Sequence, residues 1–318
     1  MQTILNVIVP IFGVVFVGYA IARARLLSAD QGDALAKYVF VVAVPMLLFR
    51  TVVTADFDEA NPFSIWTIYF GAVAVVWTAG TLLIRWFAKA DRRKSVIAGI
   101  SASFTNTVFV AIPAVERAYG DTGLHPLFLI ISIHMPVMML ASTLLIERAA
   151  VLDAHEAGTA MEASTPRETL VRILKRLASN ALIIGILCGF LWRLSGQPLP
   201  GLLNEVTRSL ATTAGPVALF ALGMSLDRYA IRGDLLPPLI CSALSLVALP
   251  AMVYLFGVLV LPPLWLKVAV LTAACPAGVN SYVLATFFGS GERLAATTIL
   301  LTTLLSVVTL TFWLSVLG

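Results

Sequence analysis

Long apolar runs separated by short polar connectors dominate the chain from one end to the other. Charge-poor runs fall at 3–22, 38–55, 60–84, 95–115, 122–146, 177–192, 209–226, 239–260, 268–289 and 294–317. Crossing hydrocarbon about 30 Å thick takes about 20 apolar residues of helix, so the pattern predicts an all-α membrane protein with ten transmembrane spans. Several runs contain proline or glycine, which membrane helices tolerate where neighbours satisfy the freed backbone groups. Tight connectors such as Asp227-Arg228-Tyr229 and Arg232-Gly233-Asp234 separate them. The longest polar stretch is Glu147–Lys175, whose Ala157–Pro166 part has linker composition. It divides the chain into a five-span repeat at 1–147, a cytoplasmic linker at 148–168 and a second five-span repeat at 169–318.

Composition sharpens this reading. Hydrophobic residues make up 59% of the chain and charged residues 12%, against about a quarter charged in soluble domains. A mean hydropathy of +0.95 leaves lipid as the only solvent that fits. The net charge of +4 is dispersed over loops without interleaved aromatics, which argues against a nucleic-acid partner. Cys188, Cys241 and Cys275 lie far apart inside apolar runs and read as inert buried thiols, so no metal and no cofactor is expected. Met1-Gln2-Thr3 lacks a basic leader, and the Ile4–Ala22 run is long enough to span and stay.

Lys and Arg set the orientation, because cytoplasmic loops retain positive charge. One set of loops holds 16 of them: Arg23, Arg25, Lys37, Arg85, Lys89, Arg92, Arg93, Lys94, Arg148, Arg167, Arg172, Lys175, Arg176, Arg228, Arg232 and Arg293. The alternate set holds 5, namely Arg50, Arg117, Arg193, Arg208 and Lys267, together with acidic Asp56, Asp58 and Glu59. Both termini are therefore expected outside and the linker inside, in a bacterial inner membrane.

Shifting the chain by 171 residues aligns Ala43-x-Pro45-x-x-Leu48-Phe49 with Ala214-x-Pro216-x-x-Leu219-Phe220. Without a gap, the same shift pairs Lys37 with Arg208, Val108 with Val279, Ala114 with Ala285, Gly120 with Gly291 and Asp121 with Glu292. Five is odd, so the second copy would enter the membrane from the opposite face. Inverted repeats of this kind are typical of secondary transporters, in which two similar halves exchange conformations.

Candidate chemistry lies at matching interruptions in the two halves. Span four carries Ser101, Ser103, Thr105, Asn106, Thr107 and Pro113, and span nine carries Pro276, Ala277, Gly278, Asn280 and Ser281. Asparagine in hydrocarbon is costly unless paired, and proline and glycine open the backbone. Two unwound segments there would offer N–H groups and amides to a carboxylate, with Pro113 and Pro276 as kinks. Thr105, Asn106, Thr107, Pro276, Ala277, Gly278, Asn280 and Ser281 are thus the candidate anion site, and no mid-span arginine is present to share that task. His134, mid-span in span five, is a candidate proton relay and equally a buried neutral histidine. Asn180, Ser225 and the threonines of the last span read as packing residues. No span carries an acidic residue at its middle, which weakens a sodium-coupled reading. Metalloprotease, P-loop and dinucleotide signatures are lacking, so no enzyme activity is expected.

At these residues the chain resembles the auxin efflux carrier family, which includes bacterial relatives described as malonate transporters. The resemblance rests on Asn106-Thr107-x-x-x-x-Ile112-Pro113 with Tyr119-Gly120, on Pro276-x-Gly278-Val279 with Ala285, and on Val9-Pro10-Ile11-Phe12 with Gly18-Tyr19. It implies a scaffold of spans 1, 2, 6 and 7, a moving domain of spans 3–5 and 8–10, and broken spans 4 and 9 crossing at the anion site. It also implies an elevator-like motion and, by analogy, a homodimer. Thr105 stands where plant members carry proline, so span four should be broken less sharply than span nine. Two rivals differ in class: a sodium-coupled symporter of the bile-acid type, and an intramembrane hydrolase using Ser225 and His134.

Overall fold

The computed structural model describes residues 2–54, 61–156, 180–229 and 234–318. The predicted linker Ala157–Pro166 lies outside them, as do Asp56, Asp58, Glu59, Arg167, Arg172, Lys175, Arg176 and Arg232. Regular structure among the described residues is helical apart from one isolated bridge, between Thr105 and Ala277. In the first half lie α1 (Gln2–Arg23), α2 (Ala29–Tyr38), α3 (Val44–Thr54), α4 (Pro62–Phe87), α5 (Arg92–Ser103) and α6 (Ile112–Glu156). The second half holds α7 (Ala181–Leu194), α8 (Gly201–Thr212), α9 (Ala214–Leu226), α10 (Leu236–Ala243), α11 (Leu249–Gly257), α12 (Pro263–Ala273), α13 (Asn280–Phe287) and α14 (Glu292–Leu317). α6 continues through Glu156, past the start of the linker expected at 148–168 and up to its Ala157–Pro166 part.

Helix starts follow local chemistry. Ser28 and Gln31 form a reciprocal capping box before α2, and the Asn61, Asp91 and Asn180 side chains accept from backbone N–H groups of the turns they open. Asn180, read from sequence as a packing residue, is therefore a cap. Three π turns, Val39–Ala43, Thr107–Ala111 and Leu244–Ala248, are each followed two residues later by a proline: Pro45, Pro113 and Pro250. Proline has no N–H for the carbonyl one turn back, and a wider turn re-pairs the backbone around the gap.

Six helical stretches among the described residues are long and apolar enough to cross a membrane: Ala29–Thr54, Pro62–Phe87, Thr107–Asp153, Gly201–Leu226, Leu236–Gly257 and Glu292–Leu317. Shorter apolar helices are Val7–Arg23, Ala181–Leu194 and Pro263–Ala273. The run at 268–289 is divided into α12 and α13, neither of crossing length, and in the run at 95–115 α5 ends at Ser103 while the remainder joins the Thr107–Asp153 stretch. The described parts of the first and sixth runs, Val7–Arg23 and Ala181–Leu194, are also short. Large apolar side chains such as Phe16, Trp86, Leu194 and Leu259 stand on the outside, which suits a protein bathed in lipid.

Helix packing repeats along the chain. On α1, a Cβ at Gly18 would collide with the Phe220 carbonyl of α9, and on α7 a Cβ at Gly189 would lie 2.9 Å from the Phe49 carbonyl of α3. Gly189 is Gly18 displaced by 171 residues and Phe220 is Phe49 displaced by the same 171, so one contact is made twice with its partners exchanged. Close approach of backbones at glycine drives helix association where lipid gives no hydrophobic force. Gly120 divides α6 with φ 66, and Gly291 precedes α14 with φ 74, again 171 residues apart. On the outer side of this packing, Arg50 donates to the Asn204 carbonyl at 2.7 Å and to Thr207 Oγ1 at 3.1 Å.

Gly18→Leu is expected to lower the thermal midpoint of the detergent-purified protein, through overpacking of about 1–3 kcal/mol. Gly13→Ala, on the same helix but with no neighbour within 4 Å, is expected to leave the midpoint unchanged within error.

Candidate functional site

Two helix breaks meet at the centre of the fold. α5 ends at Ser103, Phe104 departs from the helix with ψ 90, and Asn106 (ψ 75) opens the π turn Thr107–Ala111. In the second half α12 ends at Ala273 and α13 begins at Asn280. The two interruptions run antiparallel. Asn106 N donates to the Pro276 carbonyl at 2.8 Å, and Gly278 N donates to the Phe104 carbonyl at 2.7 Å. Ala277 N donates to Thr302 Oγ1 of α14 at 3.1 Å. A Cβ at Gly278 would stand 3.2 Å from both the Phe104 and Thr105 carbonyl oxygens, so the close approach favours glycine. The break in the first half occupies Phe104–Asn106 and that in the second Ala274–Val279, so the first is the shorter.

Thr105, Asn106, Pro276, Ala277 and Gly278 are thus brought into direct contact, all of them buried. Thr107 is buried at the start of the π turn, and Ser281 Oγ donates to the Gly278 carbonyl at 2.8 Å. Asn280 is half-buried and its Nδ2 lies 3.5 Å from Met135 Sδ. Pro113 is the second residue of α6, on the far side of the π turn from the crossing, and packs beside Gly215 of α9. Asn106 Oδ1 accepts from Phe109 N at 3.0 Å as a cap, while Nδ2, also buried, has no hydrogen-bond partner. Leaving such a group unsatisfied costs about 1–3 kcal/mol.

Two further residues join the crossing. Tyr69 of α4 is fully buried and shares a 2.7 Å hydrogen bond with Thr105 Oγ1. Thr302, grouped in the sequence with the packing threonines, instead accepts the Ala277 N–H. Neither is legible from sequence: a tyrosine or a threonine inside an apolar helix gives no signal of which break it will face. His134 lies against the same cluster, its ring centroid 5.1 Å from Phe104 and 5.8 Å from Tyr69. It does not meet Ser225, whose hydroxyl donates to the Leu222 carbonyl at 2.7 Å while both His134 nitrogens are without partners. The serine–histidine pair of a hydrolase is therefore not assembled.

Beside the crossing lies a cavity of about 290 Å³ bounded by α2, α9 and the two segments beyond the breaks, through Asp33, Phe109, Ser225, Arg228, Val279 and Tyr282. Arg228 Nη2 pairs with Asp33 Oδ1 at 2.9 Å. Tyr229, whose ring stands 5.4 Å from that of Tyr282, has its phenol pushed up to about 12, first by burial and then by Tyr282, and stays neutral across the physiological range. An apolar cavity of about 330 Å³ separates α3 and α7 from α4 and α6, around Thr51, Trp66, His125 and Phe190. At the crossing itself, the carbonyl ends of α5 and α12 and the N–H ends of two following helical segments converge. Such N–H ends attract anions.

Comparison with known proteins agrees with this architecture. Residues 3–314 match the family described as "Membrane transport protein". A Rhizobium meliloti (strain 1021) protein named "Putative malonate transporter" is 26% identical over 98% of this chain and 95% of its own length. A Methanothermobacter thermautotrophicus protein named "Uncharacterized transporter" is 25% identical over 98% of this chain and 96% of its own. The mouse "Lysosomal cholesterol signaling protein" is 23% identical over 68% of this chain, which spans 25% of that longer protein. Matched over nearly its whole length, and similar end to end to two transporters, the chain belongs to the membrane transport protein family, the auxin-efflux-carrier-like group that its interrupted spans resemble.

Proposed function

We propose that the protein is a secondary transporter that moves a small organic anion, a carboxylate of the malonate class, across a bacterial inner membrane by alternating access. The observation that carries this reading is the reciprocal pairing of the two helix breaks, Asn106 N to the Pro276 carbonyl and Gly278 N to the Phe104 carbonyl. Backbone that leaves the helix inside lipid is tolerated only where it is buried in protein or lines a cavity. Here it converges with an unsatisfied asparagine amide and helix N–H ends, which suit a carboxylate. A relative named for malonate transport points to the same substrate class.

In this reading the chain forms ten spans in two inverted five-span repeats, 1–147 and 169–318, joined by a cytoplasmic linker, with both termini outside. Support comes from the Gly18–Phe220 and Gly189–Phe49 contacts, which interchange under the 171-residue shift, and from the positive φ of both Gly120 and Gly291. Spans 1, 2, 6 and 7 serve as scaffold, the site of a homodimer contact, and spans 3–5 and 8–10 carry the crossing past it. The anion binds among Thr105, Asn106, Thr107, Pro276, Ala277, Gly278, Asn280 and Ser281. The proton gradient or the membrane potential supplies the driving force.

Asn106→Ala and Asn280→Ala are each expected to weaken malonate binding about tenfold or more while the protein still folds, Asn106→Ala with a thermal midpoint lowered by loss of its cap on Phe109 N, worth about 1 kcal/mol. Unchanged affinity in both variants contradicts this placement. Uptake of labelled malonate into liposomes is expected to proceed without sodium; strict sodium dependence assigns the protein to the symporter alternative.

A further inference from the structure

His134 of α6 is 1% exposed, and among the described residues neither Nδ1 nor Nε2 has a hydrogen-bond partner. Rings enclose it: Phe104 at 5.1 Å, Tyr69 at 5.8 Å and Phe70 at 6.0 Å between centroids. Two of these belong to the crossing. Phe104 opens the first break and its carbonyl accepts from Gly278, and the Tyr69 hydroxyl is bonded to Thr105. The next residue along, Met135, meets the Asn280 amide. Titratable groups on the elements packed around the ring are Tyr69 from α4 and, beyond Tyr69, Cys275 from the second break. No charged side chain among the described residues pairs with it.

An imidazole held this way stays neutral while it is alone, because a buried charge without a counterion is strongly disfavoured. Arrival of an anion at the crossing removes that obstacle. Negative charge next to the cage favours the imidazolium, and the imidazolium favours the anion by the same factor, since coupling between two sites is reciprocal. We propose that His134 is the coupling-proton site, taking up one proton together with each carboxylate bound at the crossing. The inference rests on the transport reading above and deepens it. A monocarboxylate and its proton then cross as a neutral pair, and a dicarboxylate carries one negative charge fewer. The proton comes from water on the loading side, adds to the free lone pair of the neutral imidazole, and returns to water on the far side when the anion has left. Tyr69 is the positioning residue: its hydroxyl holds Thr105 while its ring holds the imidazole.

The test is isothermal titration of malonate into the purified full-length protein between about pH 6 and 8, in pairs of buffers that differ in ionisation enthalpy. Uptake of about one proton per malonate is expected, with affinity falling about tenfold for each pH unit of rise across that range. His134→Gln is expected to bind malonate with no proton uptake and with affinity that no longer varies with pH. His134→Phe, which keeps a ring in the cage, makes the same comparison if the glutamine variant does not fold. Tyr69→Phe is expected to retain binding with reduced proton uptake. Malonate binding without proton uptake in the wild type, or the same uptake in the His134 variants, overturns the proton site and leaves the transport reading standing. Failure of malonate and of other short mono- and dicarboxylates to bind overturns the transport reading, and the proton site with it.

Discussion

Lipid offers no hydrogen-bond partners, so every backbone group that leaves a helix within it must find one inside the protein. The pairing of Phe104–Asn106 with Pro276–Gly278 meets that requirement, because each break supplies the partners the other lacks. Neither interruption would survive alone in hydrocarbon. Together they make a short antiparallel link between the halves of the chain, and Tyr69 and Thr302 brace it from α4 and α14. Among the buried polar groups without a hydrogen-bond partner within the described residues, the Asn106 amide lies at this link and the His134 ring beside it.

Beyond the hydrogen bonds from Tyr69 and Thr302, the surrounding helices are held to one another by close packing. Glycines on α1 and α7 let backbones approach at Phe220 and Phe49, and the same contact occurs twice under one sequence shift. This doubling gives the 171-residue offset a physical meaning that matching letters alone do not provide. Polar ties lie elsewhere: Arg50 with Asn204 and Thr207, Arg228 with Asp33, and Arg92 and Arg93 with Asp153.

The helical membrane class was legible in the sequence because apolar runs of span length admit few alternatives. The breaks were also legible, since polar and helix-breaking residues stand at matching mid-span positions of the two halves, Asn106 in one and Pro276, Gly278 and Asn280 in the other. The partner of each break was not, because antiparallel pairing is a tertiary fact with no local pattern. Tyr69 and Thr302 escaped notice for a related reason. Tyrosine and threonine are ordinary in membrane helices, and only packing decides whether their hydroxyls meet a neighbour's backbone or side chain. The π turns before Pro45, Pro113 and Pro250 were equally hidden, since proline alone does not tell a kink from a widened turn. Both runs read as interrupted are divided: α5 ends at Ser103 before the Thr107–Ala111 π turn, and α12 and α13 are separate helices.

The account stands or falls on the crossing as the place where the anion sits. An experimental structure of the protein with malonate bound, determined by electron cryo-microscopy at a resolution that shows carboxylate density, is the direct test. The account predicts that density within hydrogen-bond distance of the Asn106 amide, between the Phe104–Asn106 and Ala274–Val279 segments. Malonate lodged elsewhere, with the crossing closed and the Asn106 amide still without a partner, would contradict it.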